Sequence, residues 1–86
     1  MKWEDIGYLK ASKHRLLIFK ELSKHEQTPK ELQNNLNLHF SQISLSLKEL
    51  LERDLIQCLN DESRKGKIYS LSKKGIDLRK SINKIG

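Results

Sequence analysis

Apolar residues recur at helical spacing through most of the chain, and capping residues stand where the pattern breaks. Met1 to Lys10 reads as a short helix with Trp3, Ile6 and Leu9 three apart on one side. Ser12 caps a second helix whose apolar face is Leu16, Leu17, Phe19 and Leu22 and which ends near Lys24 or His25. Periodicity leaves open whether these two segments are one bent helix or two. Thr28-Pro29-Lys30-Glu31 starts a third. Thr28 caps it, Pro29 takes the position where a missing N–H costs nothing, and Glu31 completes a capping box. Leu32 and Leu36 lie four apart on its buried side, and Asn37 suits a left-handed helix end, giving about two turns.

From Phe40 to Arg53 the helical pattern returns. At about 100° per residue, Phe40, Ile43, Leu47, Leu50 and Leu51 share a broad stripe. Ser41, Ser44, Leu45, Lys48 and Glu52 lie opposite. This pattern suits a helix that packs on a core and lies in a groove, and it equally fits an ordinary amphipathic surface helix. Leu55–Leu59 and Lys67–Leu71 are strand-like, joined by a polar, turn-rich segment in which Gly66 can take a positive φ. Ser72 caps a last helix, Lys73–Ile85, with Leu78, Ile82 and Ile85 on one side and Gly75 placed for close packing.

The predicted fold class is mainly α with a small β-hairpin, in the order α-α-α-β-β-α. Two closely spaced helices followed by a hairpin make a winged helix-turn-helix, which presents its second helix to DNA. With 86 residues there is room for one core, so a single domain is expected over 1–86. The helix-turn-helix spans 28–54, the wing 55–71 and the C-terminal helix 72–86.

Charge changes the picture by where it sits. The net charge is +6, which favours a polyanionic partner. Residues 1–62 hold 9 basic and 10 acidic side chains, whereas residues 63–86 hold 8 basic and 1 acidic. The segment 39–54 is slightly acidic, with Lys48 and Arg53 against Glu49, Glu52 and Asp54. It is therefore better suited to reading a site than to gripping one, and the grip is expected from residues 63–86.

TPKELQNNLNLHFSQISLSLKELLERDLIQ, with Leu38, Ser41, Ile43, Ser44, Leu47, Leu50 and Leu55 in register, resembles the shared core of the ArsR and MarR superfamily of regulators. NDESRKGKIYSLSKKGIDL resembles that family's wing and following helix, and SKHRLLIFKELSK its preceding helix. The resemblance covers roughly residues 8 to 80. It implies a double-stranded DNA-binding transcriptional regulator with the helix from Phe40 in the major groove. Ser41, Gln42, Ser44 and Lys48 would then lie near bases and phosphates, and Arg64, Lys65 and Lys67 on the wing. Lys30 and the amides starting its helix would hold a phosphate. Leu45 departs from the family, which places a polar or basic side chain there; it either packs on a thymine methyl or marks a face that meets protein.

Other chemistry has little to stand on. ArsR-like metal sensing resembles Cys-x-Cys pairs or terminal-helix Asp/His clusters, and this chain has neither; His14, His25 and His39 show no ligand spacing. Cys58, the single cysteine, reads as a small hydrophobe in a buried strand, with an intermolecular disulfide as its remaining option. No phosphate loop, zinc-protease motif or nucleophile elbow occurs, so no enzyme activity, cofactor or small-molecule effector is expected. Lacking an 18-residue apolar run and a signal-peptide core, the chain is expected in the cytoplasm, without a membrane partner. A homodimer is expected through the terminal helices, using Trp3, Tyr8, Ile76, Ile82 and Ile85. The rival function is a winged-helix module that binds protein within a larger assembly. Leu45 and the slightly acidic recognition helix favour it; the Arg-Lys-Gly-Lys tip opposes it. Action on RNA or single strands ranks third, since Tyr69 is the one stacking candidate there.

Overall fold

Ser12 decides the first question, because its backbone is extended and its hydroxyl accepts from the Arg15 N–H at 3.3 Å. The N-terminal stretch is thus two helices, α1 (Lys2–Lys10) and α2 (Lys13–Leu22). The computed structural model describes residues 2–60 and 66–85. Asp61, Glu62, Ser63, Arg64 and Lys65, including two of the predicted wing contacts, lie outside the described residues, as does the side chain of Ile85.

Ile6 and Leu9 of α1 are buried, but Trp3 is 68% exposed. A spacing of three slips back about 60° per step, so Trp3 stands some 120° from Leu9 and leaves the core stripe. In α2 the buried face is Ile18, Phe19 and Leu22, while Leu17 is only partly covered. The expected face omitted Ile18, which lies within about 40° of Leu22 on the helical wheel.

The third helix, α3 (Pro29–Leu36), forms as its capping signals dictate. The Glu31 N–H donates to Thr28 Oγ1 at 3.2 Å and the Thr28 N–H to Glu31 Oε1 at 2.9 Å. Asn37 ends it in the left-handed region, at φ 55° and ψ 45°. After the turn comes α4 (Phe40–Glu52), with Ile43, Ser46, Leu47 and Leu50 buried. Phe40 and Leu51, placed in the core stripe by periodicity, are instead 58% and 39% exposed. Both stand on the edge of the stripe, where a neighbouring element decides burial.

The end of α4 is a Schellman arrangement built without glycine. Asp54 has φ 59°, the Asp54 N–H donates to Leu51 O, and the Leu55 N–H to Leu50 O at 3.0 Å. This turn aims the chain into β1 (Ile56–Cys58), which pairs antiparallel with β2 (Tyr69–Leu71), Ile56 opposite Leu71 and Cys58 opposite Tyr69. The strands are shorter than the expected five residues. The Asn60 side chain takes over beyond Cys58, accepting from the Ile68 N–H at 2.7 Å and donating to Gly66 O at 3.2 Å. Gly66 has φ +64° as anticipated, whereas Cys58 is partly exposed rather than buried.

Finally α5 (Lys73–Ile85) closes over α1 and β2. Ser72 caps it, accepting from the Gly75 N–H at 3.1 Å while its hydroxyl donates to Asp54 O at 2.6 Å. One core results, with Leu9, Ile18, Phe19, Leu32, Ile43, Leu50, Leu55 and Leu78 at its centre.

Candidate nucleic-acid interface

Two polar networks fix α4 and the wing on this core. In the first, Gln27 is 1% exposed; it donates through Nε2 to Glu21 O at 2.8 Å and accepts from Asn35 Nδ2 at 3.0 Å. Its backbone exchanges two hydrogen bonds with Tyr69, at 3.0 and 2.9 Å. A residue just before α3 thereby forms a one-residue antiparallel bridge to β2 and holds the base of the wing. Nothing in the sequence marks it, since a glutamine ahead of a helix cap is usually solvated.

Glu21 in the same network receives Lys24 Nζ at 3.0 Å and Asn35 Nδ2 at 3.2 Å. The Lys24 hydrogen bond holds its carboxyl below the ordinary 4.5; burial opposes this, and the Lys24 charge and the Gln27 and Asn35 side chains add to it. A depressed folded pKa contributes stability above the unfolded value, and that contribution is lost as pH falls through the folded one. The melting temperature should therefore drop on acidification below about pH 4.5. Glu21→Gln should start lower at neutral pH and flatten that acid limb, whereas parallel profiles would remove Glu21 as the cause.

In the second network, the guanidiniums of Arg15 and Arg53 lie over the Tyr8 ring, 3.8 and 4.2 Å from its centroid. Arg15 pairs with Glu49 at 3.3 Å, and Arg53 and Lys74 with buried Asp5 at 3.4 and 3.5 Å. Two charges of the 39–54 segment, Glu49 and Arg53, are therefore spent on internal contacts. Tyr8, offered as a dimer contact, is half-buried beneath these arginines, and Ile82 is half-buried against the core. Trp3 and Ile76 stay exposed on α1 and α5, which pack against each other.

With α4 held this way, Ser41, Ser44, Leu45 and Lys48 are exposed, as is Lys30 at the start of α3. Gln42 is half-buried, and its Oε1 already accepts from the His39 N–H at 3.1 Å. Its carbonyl caps α4 and its amide nitrogen alone remains for reading. A groove of about 700 Å³ runs between the start of α3, α4 and the wing. Lys30, Ser44, Lys48 and Lys67 of the predicted residues line it; Ser41, Gln42 and Leu45 do not, lying instead toward the outward side of α4. Phe40, Leu51, Pro29 and Tyr69 form its apolar lining, which the stripe assignment of Phe40 and Leu51 had concealed. A second, polar hollow of about 450 Å³ lies at the turn between α3 and α4, lined by Gln33, Asn34, Asn37, Leu38 and His39.

Among the described residues no group of three potential ligand side chains gathers to hold a metal, and no helix is long and apolar enough to cross a membrane. No curated protein matches the chain. Solved structures do. Quinone-bound YodB of B. subtilis superposes with TM-score 0.79 at 21% identity, over 98% of this chain and 89% of that one. HlyU of Vibrio cholerae gives TM-score 0.78 at 22% identity, over 98% and 90%. NMB1585, a MarR family regulator from Neisseria meningitidis, gives TM-score 0.76 at 17% identity, over 95% of this chain. The chain spans only 59% of NMB1585 and 51% of ZitR from Lactococcus lactis, another fold match with TM-score 0.77, 19% identity and 85% of this chain covered. The family model described as winged helix DNA-binding domain matches residues 11–75. That match runs from the start of α2 through the helix-turn-helix and both wing strands, and the chain belongs to this family of winged-helix DNA-binding domains.

Proposed function

We propose that the protein is a transcriptional regulator that binds double-stranded DNA, with α4 in the major groove and the wing against phosphates or the minor groove. The observation that carries this reading is the meeting of Lys30, Lys48 and Lys67, from three different elements, around one groove beside the outward face of α4. A major groove about 12 Å wide admits a helix, and α4, with 13 residues, is long enough to cross it. Cations flanking such a helix neutralise phosphate and set its register, while Ser41, Ser44 and the Gln42 amide nitrogen face base edges. The amides expected to hold a phosphate at the start of α3 are not available as a set, since Pro29 has no N–H and the capping box takes those of Thr28 and Glu31, so the Lys30 side chain carries that contact. By sequence, Arg64 and Lys65 of the wing segment would add two further cations for phosphate.

Exposed Trp3 and Ile76 support a second copy docking on α1 and α5, which would place two α4 helices on inverted half-sites. The test is selection of bound sequences from a random duplex pool, followed by a salt titration of the selected duplex. Binding should fall linearly on a log–log plot, with a slope set by several phosphate contacts. The recovered sites should show two inverted half-sites spaced by about one helical turn. No binding at about 50 mM salt would overturn the reading, and recovery of single half-sites would remove the dimer.

A further inference from the structure

We infer that Leu45 reads a thymine methyl group in the major groove, which makes it a specificity-determining residue of the DNA-binding face; the inference rests on the function proposed above. Leu45 is 58% exposed in the middle of α4, with exposed Ser41 one turn before it and exposed Lys48 nearly one turn after. It points away from the buried stripe of Ile43, Ser46, Leu47 and Leu50. The other exposed apolar residues of α4, Phe40 and Leu51, stand about 120–140° around the helix from it and line the groove toward the wing. Leu45 is therefore an isolated exposed apolar group, with Ser41, Ser44, Lys48 and the Arg15-paired Glu49 as its neighbours along the helix, and not part of a contiguous apolar patch of the kind that marks protein docking.

The chemistry of the major groove then selects the partner. Adenine, guanine and cytosine present only donors and acceptors there, and thymine alone adds a methyl group. A leucine pressed on any other base edge removes water from a polar atom and returns no hydrogen bond, which disfavours binding. Against thymine, methyl and isobutyl groups leave water together. Burying one methyl-sized group corresponds to about fourfold in affinity per half-site.

The tightest duplex from the random-pool selection is the probe. Each thymine is replaced in turn by deoxyuridine, which removes only the methyl group, and affinity is read by fluorescence anisotropy. The wild-type protein should lose about fourfold at one thymine of each half-site and be indifferent at most others. Cytosine at that position, paired with guanine, should bind more weakly than 5-methylcytosine. In Leu45→Ala, an exposed helical site where alanine keeps the fold, thymine and deoxyuridine duplexes should bind equally at that position. Indifference of the wild type to deoxyuridine everywhere, or full methyl dependence in Leu45→Ala, would overturn this inference and leave DNA binding intact. Failure of the wild type to bind any duplex at low salt would overturn both.

Discussion

Replacing Gly75 with alanine is expected to destabilise the protein by about 3 kcal/mol or more and to lower its melting temperature by roughly 12–24 °C. On helix propensity alone the same change would stabilise, by about 1 kcal/mol. The sign reverses because Gly75 sits against the backbone of Leu55, and an added Cβ would overlap the Leu55 carbonyl oxygen and lie 3.2 Å from its carbon. That carbonyl is not free to swing aside. It accepts from the Ser72 N–H at 3.1 Å, and the Leu55 N–H is itself tied to Leu50 O by the turn at the end of α4. Leu55 is fully buried. Relief would have to come from moving the first turn of α5, which Ser72 holds through its bonds to Gly75 and Asp54. A domain of this size has about 4–13 kcal/mol of total stability, so a large part of it is at stake. Gly7 in α1 is the internal control: nothing lies within 4 Å of a Cβ there. Gly7→Ala should gain about 0.5–1 kcal/mol, raising the melting temperature by a few degrees. Thermal melts of both variants decide the matter, and a Gly75→Ala protein melting within about two degrees of wild type would refute the close-packing argument.

The two glycines show where sequence reasoning reaches and where it stops. Both are helical, and only the tertiary neighbour distinguishes them. The features read correctly from sequence were those settled within about four residues. Thr28, Pro29 and Glu31 start α3, Asn37 ends it, Ser12 and Ser72 cap α2 and α5, and Gly66 turns the wing. What failed depended on elements far away in the chain. Phe40 and Leu51 belong to the apolar stripe by angle, yet they stand at its edge and line a groove that needs α3 and the wing to exist. Gln27 joins β2 through Tyr69, a pairing across more than forty residues that leaves no periodic trace. Asp54 holds a left-handed turn that glycine or asparagine would have advertised. By charge count the grip falls to residues 63–86; within them Lys74 is bound to Asp5 and the Arg53 carbonyl, and Arg79 to the Ser23 carbonyl. Among the described residues of that stretch, Lys67 is the cation that lines the groove, where it joins Lys30 and Lys48 from the near-neutral part of the chain.

That redistribution gives the second large expected effect. Changing Lys30, Lys48 and Lys67 together to alanine should weaken binding to duplex DNA on the order of several hundredfold at about 0.1 M salt. Each phosphate contact contributes about 0.9 to the slope of log affinity against log salt, so three contacts remove about 2.7. Taken from 1 M, where the electrostatic gain is nearly gone, down to 0.1 M, this amounts to about 500-fold. The loss should be nearly the same on a selected duplex and on a random one, because phosphates carry no sequence. Leu45→Ala should show the opposite signature, an unchanged salt slope with altered base preference. Lys30 and Lys48 are exposed, so their truncation leaves the core untouched. Lys67 is half-buried and has a partner of its own, so the melting temperature of the triple variant is measured beside its affinity. A folded triple variant with an unchanged slope would mean that the phosphate backbone does not run along this groove. The cations that anchor DNA would then have to be sought elsewhere on the chain, Lys73 and Lys80 of α5 first, since both are exposed.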